Sequence, residues 1–189
     1  LANLVGDTPS AFIVGADYVR SIPTKNAATR RTRCRDVNFF GCVNCDINKI
    51  LTIEASGIGL ASMTGYVFGC PVLFAKKSKT TNISSDVYSV EVPSFTHKTV
   101  NTVMVSREYL HADDRVLIID DFLATGAALK GLIALTELAG ATVVGCGIAI
   151  EKEFQGGGPE LRAQGYRIES LARIQSMTDD GKILFASGN

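Results

Sequence analysis

One stretch of the sequence, VLIIDDFLATGAALKG at residues 116–131, constrains the fold more than any other. Four consecutive apolar residues are typical of a strand buried on both faces, as in a parallel sheet. They lead directly into Asp120 and Asp121, whose like charges repel each other. A buried strand alone does not explain this pair, so we expect a ligand at the end of the strand.

The chain from residue 50 onward alternates strand and helix patterns. The expected strands are KILTIEAS, CPVLFAKK, RVLIIDD, ATVVGCGIAIEK, YRIESLARI and GKILFAS, the helices are GIGLASMTGYVFG and AALKGLIALTELAG, and VYSVEVPSF with NTVMVSREYL forms an antiparallel ribbon. This order predicts an α/β fold with an open, mostly parallel sheet flanked by helices. Ligands bind beyond the carboxyl ends of such strands. We therefore expect Glu54, Lys76, Asp120 and Lys152 to converge on one site.

Composition narrows the class of protein. The chain has 189 residues, of which 46% are hydrophobic and 20% charged, as in one globular domain. Basic and acidic residues number 19 each, so there is no overall basic surplus for nucleic acid. No apolar run reaches the roughly 18 to 20 residues that span a bilayer, and the first residues lack a signal-peptide pattern. We expect a cytoplasmic protein without nucleic-acid or membrane partners, whose five cysteines are reduced thiols.

The loop after the two acids has the chemistry of a phosphate site. Its side chains are small, and it opens a helix whose free N–H groups point back toward the loop. The carboxylates beside it can accept hydrogen bonds from sugar hydroxyls. We interpret the stretch as a site for a phosphorylated ribose, with the acids on the two hydroxyls; the alternative is a plain strand-turn-helix with a polar edge. The residues expected to hold the phosphate are Ala124, Thr125, Gly126, Ala127 and Ala128.

Two further segments suggest anion binding. Ser56 and Gly57 open a helix after a strand, which gives a second pocket of backbone donors, although a Ser-Gly helix entry is common for structural reasons. Lys76 and Lys77 follow a buried strand and could offset the charge of a leaving group, or they could line a solvated edge.

Lys152 and Phe154 suit a purine base. The ring can stack on the base, and the ammonium, which only donates hydrogen bonds, favours a 6-oxo group over the amine of adenine. The alternative is a surface lysine with a phenylalanine packed beneath the sheet.

Other features suggest less. The CVNC motif at residues 42–45 has zinc-type spacing, but the two histidines, His97 and His111, lie far along the chain. We therefore expect no metal site built from protein ligands. The basic run RRTRCR at residues 30–35 is more typical of a solvated arm than of a phosphate or RNA site.

The order of the motifs resembles the type I phosphoribosyltransferase family, and within it the bacterial xanthine branch. The segments that carry the resemblance lie between Ile50 and Phe185 and are TIEASGI, VLFAKKSK, VLIIDDFLATG, IEKEFQ and ESLARIQSM. The resemblance implies a five-stranded, mostly parallel sheet with a small hood, and a homodimer. It also implies a purine salvage enzyme that transfers phosphoribose from phosphoribosyl pyrophosphate to a 6-oxo purine, xanthine before guanine or hypoxanthine, and releases pyrophosphate.

The same resemblance suggests roles for the site residues. Asp120 and Asp121 are the expected catalytic pair, the Ser56–Gly57 turn is the pyrophosphate loop, and Mg²⁺ is bound mainly through substrate oxygens. Thr125 stands where the family commonly has Asn. Residues 1–49 do not match and are expected to form a divergent part of the hood, ahead of a core domain at 50–189. A regulator that senses phosphoribosyl pyrophosphate without catalysis, and an enzyme for another base, remain alternatives.

Overall fold

The computed structural model describes residues 46–77, 86–94, 99–178 and 181–186. Nearly all of the predicted N-terminal segment, including the CVNC and RRTRCR motifs, lies outside the described residues. Single turns of 3-10 helix occupy Arg107–Tyr109 and Glu153–Gln155. The other elements are β1 (Lys49–Ile53), α1 (Gly57–Phe68), β2 (Val72–Ala75), β3 (Val87–Ser94), β4 (Thr99–Ser106), β5 (Arg115–Leu123), α2 (Ala127–Leu138), β6 (Thr142–Lys152), α3 (Gly157–Ala163), β7 (Ile168–Met177) and β8 (Ile183–Phe185).

The main sheet has the strand order β2-β1-β5-β6-β7-β8. The five strands from β2 to β7 are mutually parallel, which confirms the predicted α/β fold. The sheet has six strands in total rather than five, because the short strand β8 adds to the edge at β7. Only a few residues separate β7 from β8, so β8 must run antiparallel to its neighbour.

Both faces of the sheet are covered. In β5, Leu117 and Ile119 pack into an apolar cluster with Ala61 and Phe68 of α1. The alternate residues of the strand join the larger core with α2 and the β3–β4 ribbon. The apolar run is therefore buried on both sides, as the sequence predicts. None of the helices in the described ranges combines the length and apolar content needed to cross a bilayer.

The ribbon of β3 and β4 forms a separate two-stranded antiparallel sheet. It is tied to the end of β2 because the backbone N–H of Lys76 donates to the carbonyl of Met104, and that of Met104 donates to the carbonyl of Lys76, each at 2.9 Å. On its other side it packs on α2, where a Cβ at Gly131 would lie 2.5 Å from a methyl of Val92. The loop that joins the strands, with His97, lies outside the described residues.

Strand β5 is longer than the sequence pattern suggested. It continues beyond the two acids, and Phe122 and Leu123 pair in register with Ile150 and Glu151 of β6. The long neighbouring strand β6 supplies partners for these two extra residues. Asp120 and Asp121 therefore lie within the last part of the strand rather than after it.

Candidate active site

A cavity of about 550 Å³ opens beyond the carboxyl ends of β5 and β6. It brings together Lys77, Lys152 and all five residues of the predicted phosphate loop. Its described walls are formed by Ile53, Lys77, Val92, Asn101, Val103, Phe122, Leu123, Ala124, Thr125, Gly126, Ala127, Ala128, Leu129, Lys152 and Gln155. The cavity lies where an open α/β sheet places its ligands.

The loop that leads into α2 forms one wall of this cavity. Gly126 has a φ of 83°, in the left-handed region that glycine adopts without strain, and it is the N-cap residue of the helix. Its carbonyl accepts a 2.8 Å hydrogen bond from the backbone N–H of Lys130, one turn into α2. The first N–H groups of a helix have no partner within it and carry the positive end of its dipole. The loop can therefore bind an anion through its backbone.

Gly157 supports the loop from behind. Its N–H donates to the carbonyl of Ala124 at 3.1 Å. A Cβ on Gly157 would lie only 2.4 Å from the nitrogen of Gly126 and 2.5 Å from the oxygen of Ala124. Gly157 is the first residue of α3, and its backbone packs directly against the backbone of the phosphate loop.

The two acids lie next to the cavity and are not among its described lining residues. Asp120 is only 5% exposed, and its Oδ1 accepts a 3.0 Å hydrogen bond from the backbone N–H of Asp121. Burial and then the charge of Asp121 raise the pKa of Asp120 to about 8, against the opposing influence of Lys77. Near neutral pH the buried carboxyl therefore holds a proton, and the pair can both donate and accept hydrogen bonds.

The predicted pyrophosphate turn lies against Asp120. Ser56 is an exposed N-cap residue whose side chain makes no capping hydrogen bond. Gly57 is buried, and a Cβ there would lie 2.3 Å from the hydroxyl oxygen of Thr52 and 2.7 Å from Oδ1 of Asp120. A glycine is required because these two side chains occupy the space. Ser56 and Gly57 are thus close to the acid pair, although neither lines the cavity within the described chain.

The two candidate lysines differ in position. Lys77 is exposed and lines the cavity, and its backbone N–H donates to Oε1 of Glu54 at 2.7 Å. Lys76 is half-buried and lies in the bridge to Met104. Glu54 accordingly orders the strand end that presents Lys77, and the geometry favours Lys77 as the cation that faces a ligand.

Lys152 lines the cavity with an aromatic residue that the sequence pattern missed. Its Nζ lies 5.7 Å from the centre of the Phe122 ring, within cation–π range. Phe122 is 43% exposed and lines the cavity. Phe154, in contrast, is 48% exposed on the turn after β6, and its neighbour Gln155 lines the cavity instead. Phe122 was not predicted as a site residue, because the sequence pattern predicted that β5 ends at Asp121.

A buried ion pair, also not anticipated, lies behind Lys152. Glu151 is fully buried and accepts hydrogen bonds from both terminal nitrogens of Arg162, at 2.7 and 2.6 Å, and from the hydroxyl of Ser170. Burial opposes ionisation of this carboxyl, but the bonds from Arg162 and Ser170 outweigh it and keep the pKa of Glu151 below its ordinary value. The paired charge fixes the end of β6 next to Lys152.

Within the described ranges, three side chains that could together hold a metal ion are those of His111, Asp113 and Asp114. They precede β5 and lie at the opposite end of that strand from the cavity. Asp114 already forms a 2.9 Å ion pair with Lys49. The carboxyl groups of Asp120 and Asp121 lie on the strand that leads into the phosphate loop of the cavity.

Comparisons with known proteins agree with this geometry. Residues 43–164 match the family described as phosphoribosyl transferase domain. The chain is 58% identical to the xanthine phosphoribosyltransferase of Finegoldia magna over 137 residues, which cover 72% of each chain. It is 56% identical to that of Bifidobacterium longum subsp. infantis over 141 residues, 74% of this chain and 73% of the relative.

Solved structures show the same fold at lower identity. The adenine phosphoribosyltransferase of Giardia lamblia, in complex with 9-deazaadenine, aligns with a TM-score of 0.67 at 23% identity, over 89% of this chain and 82% of that one. The adenine phosphoribosyltransferase of Thermoanaerobacter pseudethanolicus aligns with a TM-score of 0.65 at 19% identity, over 90% and 84% of the two chains.

Proposed function

Because this chain belongs to the phosphoribosyl transferase family, we propose that it transfers phosphoribose from phosphoribosyl pyrophosphate to xanthine in purine salvage. The products are the nucleoside monophosphate and pyrophosphate. The observation that carries the proposal is the single cavity that unites an anion-binding loop, Lys77 and Lys152. The curated relatives that are more than half identical to it bear the name xanthine phosphoribosyltransferase, which supports this base.

The phosphoribosyl donor would occupy the loop and the adjoining strand ends. Backbone N–H groups at the start of α2, with the hydroxyl of Thr125, bind the 5′-phosphate. Asp120 and Asp121 hold the two ribose hydroxyls, and a carboxyl that keeps its proton can donate as well as accept. Lys77 and the Ser56–Gly57 turn offset the charge of the pyrophosphate.

The base would lie between the loop and the end of β6. The ammonium of Lys152 donates to the 6-oxo group, and it repels the exocyclic amine of adenine because it has no lone pair to offer. Phe122 holds Lys152 from one side and offers an apolar surface to the purine ring. Phe154 is a second candidate for stacking on the base, since it is exposed and precedes Gln155, which lines the cavity.

The reaction breaks the bond between C1′ of the ribose and a pyrophosphate oxygen, and it forms a bond from C1′ to a purine ring nitrogen. That nitrogen loses its proton, and pyrophosphate leaves with the bonding electron pair. Positive charge develops on the sugar while negative charge grows on the leaving group. The described residues assist by aligning the two substrates and by stabilising this charge separation, without a covalent intermediate.

Mg²⁺ fits this site through its hard oxygen ligands. Magnesium usually keeps several waters and binds one or two carboxylates together with substrate phosphates. The carboxyl groups of Asp120 and Asp121 would accept hydrogen bonds from its water shell, and pyrophosphate and ribose oxygens would supply the direct ligands. When bound, the ion would neutralise charge on the pyrophosphate and improve it as a leaving group.

Two proposals concern the whole chain. Residues 1–49 would form a hood over the cavity and residues 50–189 the core domain, so that removal of residues 1–45 should change the choice of base more than the binding of phosphoribosyl pyrophosphate. An unchanged preference among bases would refute the hood.

The protein would also act as a homodimer, a proposal supported by apolar side chains exposed on α1.

The function is tested by incubating the protein with phosphoribosyl pyrophosphate, Mg²⁺ and one base at a time, and by following pyrophosphate release. We expect fastest turnover with xanthine, slower turnover with guanine or hypoxanthine, and little with adenine. Tight binding of phosphoribosyl pyrophosphate without turnover of any base would instead identify a sensor. Preferred turnover of adenine would overturn the role of Lys152.

A further inference from the structure

The short helix α3 lies between two parts of the candidate site, the phosphate loop and the end of β6. Its first residue, Gly157, packs on the phosphate loop, with its N–H on the carbonyl of Ala124 at 3.1 Å. Its second residue, Gly158, lies against Glu151, since a Cβ there would overlap a carboxylate oxygen of that residue at 1.9 Å. Two adjacent glycines therefore allow α3 to contact the loop and the end of β6 at once.

A buried ion pair between Arg162 and Glu151, called the clamp below, fixes the position of this helix. Arg162, near its end, donates from both terminal nitrogens to Glu151, which is fully buried at the end of β6. Ser170 of β7 also donates to the same carboxylate. A two-pronged bond between guanidinium and carboxylate fixes orientation as well as distance. Helix α3 is thus fixed relative to the phosphate loop, β6 and β7.

Glu151 and Lys152 are neighbours that point to opposite faces of the sheet. Glu151 faces α3, whereas Lys152 faces the cavity and Phe122. Fixing one of these side chains fixes the backbone of the other. Any displacement of α3 would accordingly reach both the loop that contacts Gly157 and the strand end that carries Lys152.

We propose that Arg162 and Glu151 are positioning residues, which couple the phosphate loop to the base-contacting lysine through α3. The inference rests on the proposed function, because only an enzyme with two substrates needs the ion pair to align two binding sites as well as to stabilise the fold. Both substrates need fixed sites if the ring nitrogen is to meet C1′ in line with the leaving group. A clamp that touches both sites but neither substrate satisfies that need.

The test is the variant Arg162→Met, which keeps an apolar stem but removes both guanidinium hydrogen bonds to Glu151 and leaves that of Ser170. We expect kcat/KM for both phosphoribosyl pyrophosphate and xanthine to fall at least tenfold per folded molecule. Arg167→Met is the matched control, because Arg167 is exposed and its 3.6 Å pair is with Glu169 of β7, which is exposed as well. A purely stabilising pair would lower the melting temperature and leave kcat/KM per folded molecule unchanged, which would overturn the proposal.

Gly157→Ala decides the question if Arg162→Met does not fold. It leaves the ion pair in place and inserts a methyl between α3 and the loop. KM for phosphoribosyl pyrophosphate should rise at least tenfold, whereas Gly59→Ala, where a Cβ would meet nothing within 4 Å, should not change it. Unchanged KM in a folded Gly157→Ala protein contradicts the coupling.

Amide hydrogen exchange on the unaltered protein separates this inference from the proposed function. The N–H of Gly157, which donates to Ala124, and that of Lys130, which donates to Gly126, should open with a common free energy in mild denaturant, since they belong to one packed unit. Faster, independent exchange of α3 would refute the clamp even if turnover is normal. Shared exchange without turnover of any base would uphold the clamp and reject the function.

Discussion

The carboxyl of Asp120 has an unusual environment for an ionisable group. It is almost fully buried, it adjoins another acid, and a Cβ at Gly57 would lie 2.7 Å from its Oδ1. A buried carboxyl beside a like charge favours its neutral form. Burial of this carboxyl therefore lowers the free energy of unfolding at high pH, where an exposed carboxyl is ionised, and does not lower it at low pH.

The stability of the protein should consequently fall as pH rises. The pKa of Asp120 is about 8 in the fold against an ordinary 3.8, so between these values the folded state holds a proton that the unfolded state releases. In this window each pH unit costs up to about 1.4 kcal/mol of unfolding free energy. Thermal melts from pH 5 to pH 8 should show the decline, and Asp120→Asn should flatten it. A decline of equal slope in Asp120→Asn would assign the effect to other groups.

The two lysines of the cavity should affect different substrates. Lys152→Met removes a charge-assisted hydrogen bond worth roughly 1.5 to 3 kcal/mol and should raise KM for xanthine at least about tenfold. KM for phosphoribosyl pyrophosphate should hardly change. Lys77→Met should show the reverse pattern. Steady-state kinetics with each substrate varied in turn provides the comparison, and identical effects of the two changes would mean that the lysines do not separate the substrates.

At the residue scale, the sequence predicted which side chains lie near the cavity best where their position in a strand or loop was clear, and the roles of these residues stay predictions. The small loop residues, Lys77 and Lys152 lie at strand ends, so their convergence followed from the fold. Phe122 and the Glu151–Arg162 pair were missed because an aromatic or a charge near a strand end has no distinctive spacing. Their roles depend on which neighbours the fold supplies.

The start of α1 is set by one glycine. Gly57 has no room for a side chain between Thr52 and Asp120, whereas Gly59, two residues later, is open to solvent. The two glycines stand two residues apart in the same helix and so make a natural comparison.

Gly57→Ala should destabilise the fold by about 1 to 3 kcal/mol, because a methyl there displaces buried polar side chains. Gly59→Ala should be neutral or stabilising by up to about 1 kcal/mol, since alanine has the higher helix propensity. Urea unfolding of both variants measures the difference. Equal stability of the two would show that the carboxyl of Asp120 moves freely away from α1.

Most elements were predictable from hydrophobic periodicity, and the exceptions have physical causes. The apolar runs and helix patterns gave β1, α1, β2, β5, α2 and β6, because burial on both faces leaves a continuous signal. The length of β5 was wrong since its last residues, Phe122 and Leu123, follow two charges that interrupt the pattern. The edge strand β8 lies within the predicted strand GKILFAS, and it makes six strands in the sheet where the family resemblance implied five.

At the scale of the whole molecule, α1 presents apolar side chains to solvent. Tyr66 is 78% exposed, and Met63 is also exposed three residues before it on the same helix face. Exposed apolar surface of this kind often marks a contact between protein chains. The site residues lie elsewhere, at the carboxyl end of the sheet.

We expect a homodimer that buries this face of α1. Light scattering at micromolar concentration should give about twice the chain mass, and Tyr66→Glu should reduce it. A monomer at that concentration, with full activity, would contradict the expectation. Lys130→Glu, in which a half-buried residue of α2 is changed, serves as a charge-altering control that should leave the mass unchanged.

The central claim is that Asp120 and Asp121 serve a phosphoribosyl ligand rather than the fold. The most direct measurement compares melting temperature and pyrophosphate release in one preparation of the double variant Asp120→Asn, Asp121→Asn. The account predicts a melting temperature equal to or slightly above that of the unaltered protein, because a buried carboxyl whose pKa is raised by burial is replaced by an uncharged amide of the same shape. It predicts at least about a hundredfold loss of turnover, from the lost contacts of the two carboxyl groups with the ribose hydroxyls. A stable variant with near-normal turnover would contradict the claim.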